Sequence, residues 1–526
     1  MYTLRGRAAT IGLTVMAGFG WILFGYDLGV LGGVLNEADF AATFPMNATL
    51  TGFVTAVFEL MAMFGAISMA VFGHVLGRRD NTMIGTGLIA VGAIIQASST
   101  TLAQLIVGRI VGGTGLGIFS AVCPIWQAEV TKRDQRGRVI GLSLSFLIVG
   151  LMLAYWIDYG MARYAGSVSW RFPFAFQCVL AACNMVMTRF VPESPRWLLT
   201  KGRADDARAS LAALADAPED DPEVEATMTE IETALDVEHG TRRGVWDLLK
   251  GWDDGVRGRR RLLTGCFFQF AQPFSGSTVI SFYVQPIFQD SIGLNANLAS
   301  LMSGYLQIWF LVASLMTWYL VERFGRRIMF MWTAAAMSIS MFLLGAFVKI
   351  DTRGTGIGAA TLIFLYQSFY TWGWMAGVWL MCTEIHSLAF RTVAGGLQAS
   401  VQWALNFLIL QVIPIGIDNI GYKVYFIFAC FNLFYVPVVY FFIPETRGMP
   451  LETVDLCFRP GVDPVKESLR IQKLIKEGKM DQVTLVGHQR AMMAEKSTVE
   501  VKEHVAEPTP QCGGVRLDVR GRVPCY

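Results

Sequence analysis

Long apolar runs alternate with short polar loops along the chain. The runs are too long for strands and too uniformly apolar for the half-exposed helices of a water-soluble protein. A membrane-spanning helix needs roughly 20 mostly apolar residues, and twelve such runs are present. Six fall near 11–34, 50–73, 82–98, 102–125, 139–157 and 173–191, and six more near 262–288, 299–321, 328–348, 359–381, 394–417 and 422–442. Residues 192–261 are polar, and the Ala, Asp and Glu of Ala204 to Leu214 and of Glu223 to Leu235 predict two helices there. From Pro444 to Tyr526 the chain is polar again and its last part reads as disordered. The expected organisation is therefore an all-α membrane protein: a six-helix bundle (1–191), a polar helical linker (192–261), a second six-helix bundle (262–443) and a tail (444–526). The first run is full length and has no plausible cleavage site, so no removable signal is expected.

Composition agrees with this reading. Of 526 residues, 53% are hydrophobic and 16% charged, with mean hydropathy +0.45. A soluble domain carries about 25% charged residues, so there is too little polar surface here for a water-soluble globule of this length. The 43 basic residues nearly cancel the 41 acidic ones, which excludes a basic nucleic-acid binder. Nine Cys without a C-x-x-C and five dispersed His exclude a disulfide scaffold and offer no zinc site. No Walker loop is present, so neither ATP nor any other cofactor is expected to drive the protein.

Lys and Arg in the short loops set orientation. One side carries Arg78, Arg79, Lys132, Arg133, Arg136, Arg138, Arg323, Arg326, Arg327 and Arg391; the other carries Arg163, Arg171, Lys349, Arg353 and Lys423. Ten against five predicts that both termini, the linker and the tail are cytoplasmic, in what is expected to be the plasma membrane. The loop between spans one and two would face outside, where Asn47-Ala48-Thr49 forms a possible glycosylation sequon. The basic cluster Arg257, Arg259, Arg260 and Arg261 would anchor span seven at the inner surface.

The two halves repeat each other. Gly77-Arg78-Arg79 returns 248 residues later as Gly325-Arg326-Arg327, Glu129 with Arg136 returns 255 later as Glu384 with Arg391, and Pro192-Glu193 returns 252 later as Pro444-Glu445. Three repeats in register with the span count indicate duplicated bundles with a site between them, a transporter architecture. Glu–Arg pairs at these helix ends could bridge the bundles when that face is closed and separate when it opens; the same arginines could also do no more than set topology.

Asp27 and Arg109 both lie inside apolar runs, each about seven residues from the outer end of its span, and so at similar depth. A carboxylate in hydrocarbon is costly and marks a functional hypothesis. Pairing would lower the cost of both, and protonation of Asp27 would release Arg109, a route to a proton-coupled switch. A permanent structural pair would look the same in sequence. Glu59 in span two is a second intramembrane acid, open to a structural reading. Gly108, Gly112, Gly113 and Gly117 make two G-x-x-x-G steps on span four, which serve close helix sliding and static packing equally well.

Several stretches carry a family likeness: Phe24-Gly25-Tyr26-Asp27, Arg109 with its glycines, Pro124-Ile125-Trp126-Gln127-Ala128-Glu129, Arg136-Gly137, Trp170-Arg171, Pro192-Glu193-Ser194-Pro195-Arg196-Trp197-Leu198 and Pro444-Glu445-Thr446-Arg447-Gly448. With these motifs the chain resembles the sugar porter family of the major facilitator superfamily over nearly the whole span region. The P-I-W-Q-A-E form and Ala154-Tyr155-Trp156-Ile157-Asp158-Tyr159-Gly160 look most like fungal sugar and polyol porters, including glycerol/proton symporters. The resemblance implies the major facilitator fold, and places Gln272, Thr278, Tyr283, Trp379, Gln402 and Trp403 at sugar-facing positions. The repeated charges at the helix ends make Arg78, Arg79, Glu129, Arg136, Glu193, Arg196, Arg326, Arg327, Glu384, Arg391 and Glu445 the candidate cytoplasmic gate. The sequence departs from the family pattern at His74, at Gln272-Pro273-Phe274-Ser275-Gly276-Ser277-Thr278, at Leu144, at Met375-Ala376 and at Ser387, although Glu322 keeps a carboxylate in the repeat of the His74 loop. The expected function is secondary transport of a monosaccharide or polyol by alternating access, with proton symport and without covalent chemistry. The expected partners are that solute, protons and the lipid bilayer. A proton-independent facilitator, a porter of a cyclic polyol acid and a sugar sensor of the same fold are the alternatives. No oligomeric state is set, and a monomer is compatible.

Overall fold

A backbone N–H or C=O in hydrocarbon has no water to bond with, and within one segment only a helix satisfies both. A computed structural model of the chain describes residues 4–477, apart from 36, 74, 131–135, 242–257, 351, 387–390, 448, 450–453, 455–456 and 459–460. His74, Ser387, Arg257 and the side chains of Leu144 and Glu322 lie outside the described set. Each of the twelve expected spans is helical. In the first half they are Gly6–Val34, Ala48–Phe72, Arg78–Ala97, Leu102–Val130, Arg136–Met161 and Val168–Phe190. In the second they are Gly258–Phe274 continued by Ser277–Pro286, Ala296–Phe324, Arg326–Ile350, Arg353–Tyr370 continued by Ala376–Glu384, Arg391–Ile420 and Lys423–Phe442. Among the described residues, seven helices are long and apolar enough to cross a membrane by length and composition alone. No strand occurs among the described residues.

Most spans run several residues beyond the apolar stretch at the arginine-rich face, because charged residues extend the helix into the polar zone. The linker supplies Pro195–Thr200, Ala204–Ala215 and Pro222–Thr241, which bury Leu198, Ala207 and Met228 together. A short helix, Ala38–Thr43, follows span one, and Pro464–Lys476 lies in the tail. Both bundles and the linker belong to one compact unit, Met1–Leu469.

The repeated motifs have a local cause. Span three starts at Arg78 with Gly77 as its N-cap, and Gly77 has no side chain to cap the free N–H groups of the first turn. Glu193 supplies that function from the end of span six: its carboxylate accepts from the N–H of Arg78 (3.0 Å), Arg79 (3.1 Å) and its own neighbour Ser194 (2.8 Å). The second half does the same at span nine, where Glu445 accepts from the N–H of Arg326 (3.0 Å), Arg327 (3.0 Å) and Arg447 (3.1 Å). A negative charge at a helix N-terminus also complements the helix dipole. Burial pushes the Glu193 carboxyl above the usual range, and the N–H bonds pull it back. Gly325 has φ +91°, and a Cβ there would crowd the Glu445 carboxylate, so glycine is required both for the turn and for the close approach.

Span seven is broken. Its first helix ends at Phe274, Gly276 turns with φ +99°, and the second helix begins at Ser277. The break frees the Ser275 carbonyl inside the bundle, where it accepts from the Tyr366 hydroxyl (2.9 Å) and the Asn432 amide (2.8 Å). Non-helical backbone survives at membrane depth only where protein partners satisfy it in this way. Span ten carries a π turn, Thr371–Met375, and the Thr317 hydroxyl bonds the Thr371 carbonyl at 3.2 Å. On span four, side chains at Gly113 and Gly117 would run into the Phe58 and Ala62 carbonyls of span two, so these glycines set that helix spacing.

Gly325→Ala is expected to lower stability by roughly 1–2 kcal/mol, since it combines a forbidden backbone region with lost capping. Gly354→Ala, where an added Cβ meets nothing, serves as the control. The check is the unfolding midpoint of each purified variant in detergent.

Candidate functional site

Arg109, on span four, is fully buried, and its hydrogen bonds go to span two: Nε donates to the Val54 carbonyl (3.3 Å) and Nη2 to the Thr55 carbonyl (3.0 Å). The guanidinium also lies 4.4 Å from the centre of the Phe58 ring. Asp27, Glu59 and Tyr283 are the titratable groups close enough to act on it electrostatically. Asp27 is buried with Oδ2 unpartnered, and Glu59 is buried with both carboxylate oxygens unpartnered. Among the described residues no ion pair within 4.0 Å joins Asp27 to Arg109. This corrects the expectation of a direct pair: backbone carbonyls and a ring already hold the guanidinium, so the acids flank it rather than grip it.

The second bundle faces this cluster with neutral polar groups. Gln272 Nε2 donates to the Tyr370 hydroxyl at 3.1 Å, and its Oε1 is unpartnered. Thr278 donates to Asn406 Oδ1 at 3.1 Å, and the Tyr283 hydroxyl donates to the Leu410 carbonyl at 3.2 Å. Tyr283 also lies beside Thr55 and Arg109 of the first bundle. Gln402 keeps Oε1 free and Trp403 keeps Nε1 free, both on buried side chains. The Trp403 ring sits 5.6 Å from that of Phe24, which in turn stacks on Trp21 at 5.6 Å. Gln272, Thr278, Tyr283, Gln402 and Trp403 thus lie on two spans, seven and eleven, of the second bundle. Trp379 is half-buried on Ala376–Glu384, whereas Trp374 is locked in the core, donating to the Phe330 carbonyl at 3.3 Å.

Contacts joining the bundles run from this depth toward the face opposite the arginine-rich one. Tyr155 donates to the Ser281 carbonyl at 2.7 Å, Gln411 to the Thr49 carbonyl at 3.2 Å, and Trp156 packs edge-on against Tyr305 at 5.8 Å. Asn47 caps span two there by accepting from the Leu50 N–H at 2.9 Å, and its side chain is exposed, as a sequon requires.

At the arginine-rich face, Arg78 grips Glu129 through Nε and Nη2, both at 3.1 Å, and Arg326 Nη2 meets Glu384 at 3.1 Å. Thr446 donates to the other oxygen of Glu384. Each pair therefore ties spans within one bundle rather than one bundle to the other. The reason is geometric: the carboxylates capping spans three and nine fix Arg78 and Arg326 beside their own bundle's span four or span ten. Arg327 donates to the Tyr440 carbonyl, and Arg196 opens the helix Pro195–Thr200. The side chains of Arg136 and Arg391 lie outside the described residues.

A family model described as "Sugar (and other) transporter" matches residues 13–458. The chain belongs to this family. It is 35% identical over 467 residues to the MFS-type transporter oryC of Aspergillus oryzae, covering 87% of each chain. It is 29% identical over 503 residues to the sugar transporter STL1 of Saccharomyces cerevisiae, covering 92% of this chain and 88% of that one. A probable quinate permease of Neosartorya fischeri is 30% identical over 473 residues, covering 85% of this chain and 86% of that one. Among solved structures, the MFS proton:xylose symporter XylE bound to 6-bromo-6-deoxy-D-glucose aligns with TM-score 0.73 and 25% identity, over 86% of this chain and 99% of that one. The fold is that of the major facilitator superfamily, and the protein is an integral membrane transporter.

Within this family framework, sequence reasoning passed over Tyr370 and Asn406. Asn406 stands four residues after Gln402 and three after Trp403, so helical spacing on span eleven was the signal that could have found it. Tyr370 had no such signal, because its bond to Gln272 depends on how span ten bends at its π turn.

Gln402→Ala and Trp379→Ala are expected to abolish uptake while membrane abundance stays normal. Normal substrate affinity in both would remove them from the binding site. Glu129→Arg is expected to impair transport, and the swap Glu129→Arg with Arg78→Glu to recover a measurable part of the uptake rate in the same cells.

Proposed function

We propose that this transporter carries a monosaccharide or polyol together with a proton by alternating access, in the plasma membrane with its arginine-rich face in the cytoplasm. The observation that carries the proposal is the buried Arg109 flanked by two carboxylates where the bundles meet. Three ionisable groups in a dry interior are retained at high cost, and a proton moving onto the site changes that cost. Ionised, Asp27 draws span one toward the guanidinium of span four; protonated, it releases that restraint, so proton entry accompanies the rearrangement of the bundles. A sugar transporter and a proton:xylose symporter among the similar proteins support both halves of the reading.

The substrate class follows from the opposing bundle. Gln272, Thr278, Tyr283, Gln402, Asn406, Trp379 and Trp403 are all neutral, suited to hydroxyl groups and to the C–H face of a ring. Relatives named quinate permeases favour a cyclic polyol acid as a second reading. Such a substrate would bring a carboxylate needing a cation, and Asp27 and Glu59 already set their charges against that of Arg109. Residues other than Arg109 in this group are uncharged, so the neutral solute is preferred.

Labelled uptake of glucose, xylose, glycerol, lactose and quinate in transporter-deficient cells, with external pH recorded, tests the class. Asp27→Asn is expected to lose accumulation against a gradient while retaining exchange of substrate, and the wild type to acidify the cytoplasm when substrate is added. Concentrative uptake by Asp27→Asn at the wild-type level, insensitive to an uncoupler, would remove Asp27 from coupling. Equilibrative transport by the wild type would favour a facilitator.

A further inference from the structure

Glu59 of span two flanks Arg109 but has no role of its own in the coupling step described above. Its side chain is 0% exposed and neither carboxylate oxygen has a hydrogen-bond partner. One charged group faces it, Arg109 from span four, and one neutral amide, Asn406, faces it from span eleven of the opposite bundle. Asn406 already accepts the Thr278 hydroxyl through Oδ1, which leaves its NH2 for Glu59. Glu59 therefore stands between the cation of the first bundle and an amide bonded to a candidate substrate-binding hydroxyl of the second.

We propose that Glu59 is a second proton-accepting carboxylate of the coupling site, and that Asn406 and Thr278 make its proton occupancy depend on how closely the bundles meet. This rests on the symport reading above. With Asp27 and Glu59 both ionised beside one guanidinium, the dry site would carry a net negative charge; one proton shared between the two carboxylates removes it. The proton adds to a carboxylate oxygen on loading and leaves from it on release, so the balance needs no further reactant. When the bundles draw closer than they stand here, the Asn406 NH2 comes within bonding distance of Glu59 and stabilises its charge, which directs the shared proton to Asp27. When they part, that donor is withdrawn and Glu59 takes the proton. Arg109 on span four and Tyr283 on span seven, which lies beside that arginine, are the other titratable groups of the cluster, and span eleven contributes only the neutral amide.

The test is the pH profile of uptake. Glu59→Gln leaves Asp27 as the sole carboxylate beside Arg109, so the site holds its proton less tightly. Half-maximal proton-driven uptake should move to lower external pH by about one unit or more, relative to wild type at equal membrane abundance. Asn406→Leu, which removes the donor without touching a charge, should shift the profile the opposite way. A Glu59→Gln profile that coincides with wild type overturns the proposal while leaving symport through Asp27 intact. Absence of substrate-driven acidification in the wild type overturns both. If Glu59→Gln fails to reach the membrane, Glu59→Asp decides. Its shorter carboxylate keeps the charge but retreats from Asn406, and an unmoved midpoint in that variant overturns the proposal.

Discussion

A single buried guanidinium organises the middle of this protein. Arg109 cannot shed its charge and cannot reach water, so the chain must bring acceptors to it. Span two does so with two backbone carbonyls and a ring, and the glycines of span four let that helix approach closely enough. Asp27 and Glu59 then surround the cation without binding it directly. Held this way, the guanidinium stays in place whichever carboxylate is charged. The acids are left without a direct bond to it, which is what the proposed coupling requires of them.

The second recurring device is a carboxylate that caps a helix from another helix's end. Glu193 and Glu445 each bind three backbone N–H groups and thereby fix where spans three and nine begin. That placement aims Arg78 at Glu129 and Arg326 at Glu384. The clusters tie the spans of each bundle to one another, which suits a bundle that moves as one body in the transport cycle proposed above. Two rigid bodies hinged at their shared interface are what alternating access requires.

The candidate binding surface proposed above draws three of its residues from the broken helix. The turn at Gly276 divides span seven into two directions, and the Ser275 carbonyl it frees is met by Tyr366 and Asn432. Gln272 and Thr278 lie on either side of that turn and reach different partners, Tyr370 on span ten and Asn406 on span eleven. An unbroken helix would hold those two residues in one fixed helical register, without a turn between them.

By itself the sequence determined the twelve spans, the duplication and the motif residues, because each is a local property: an apolar run of sufficient length, or a short pattern repeated at nearly constant offset. Asp27, Glu59 and Arg109 were legible for the same reason, since charges inside an apolar run stand out. Who bonds to whom was not legible. The expected Asp27–Arg109 pair gave way to carbonyl bonds, and Glu129 and Glu384 found partners in Arg78 and Arg326 of their own bundles. Tyr370 became visible only beside the side chain it touches. These outcomes were decided by the tertiary structure, because hydrogen-bond partners on different helices depend on rotation, tilt and a π turn or break in the helix, and apolar periodicity carries none of that information.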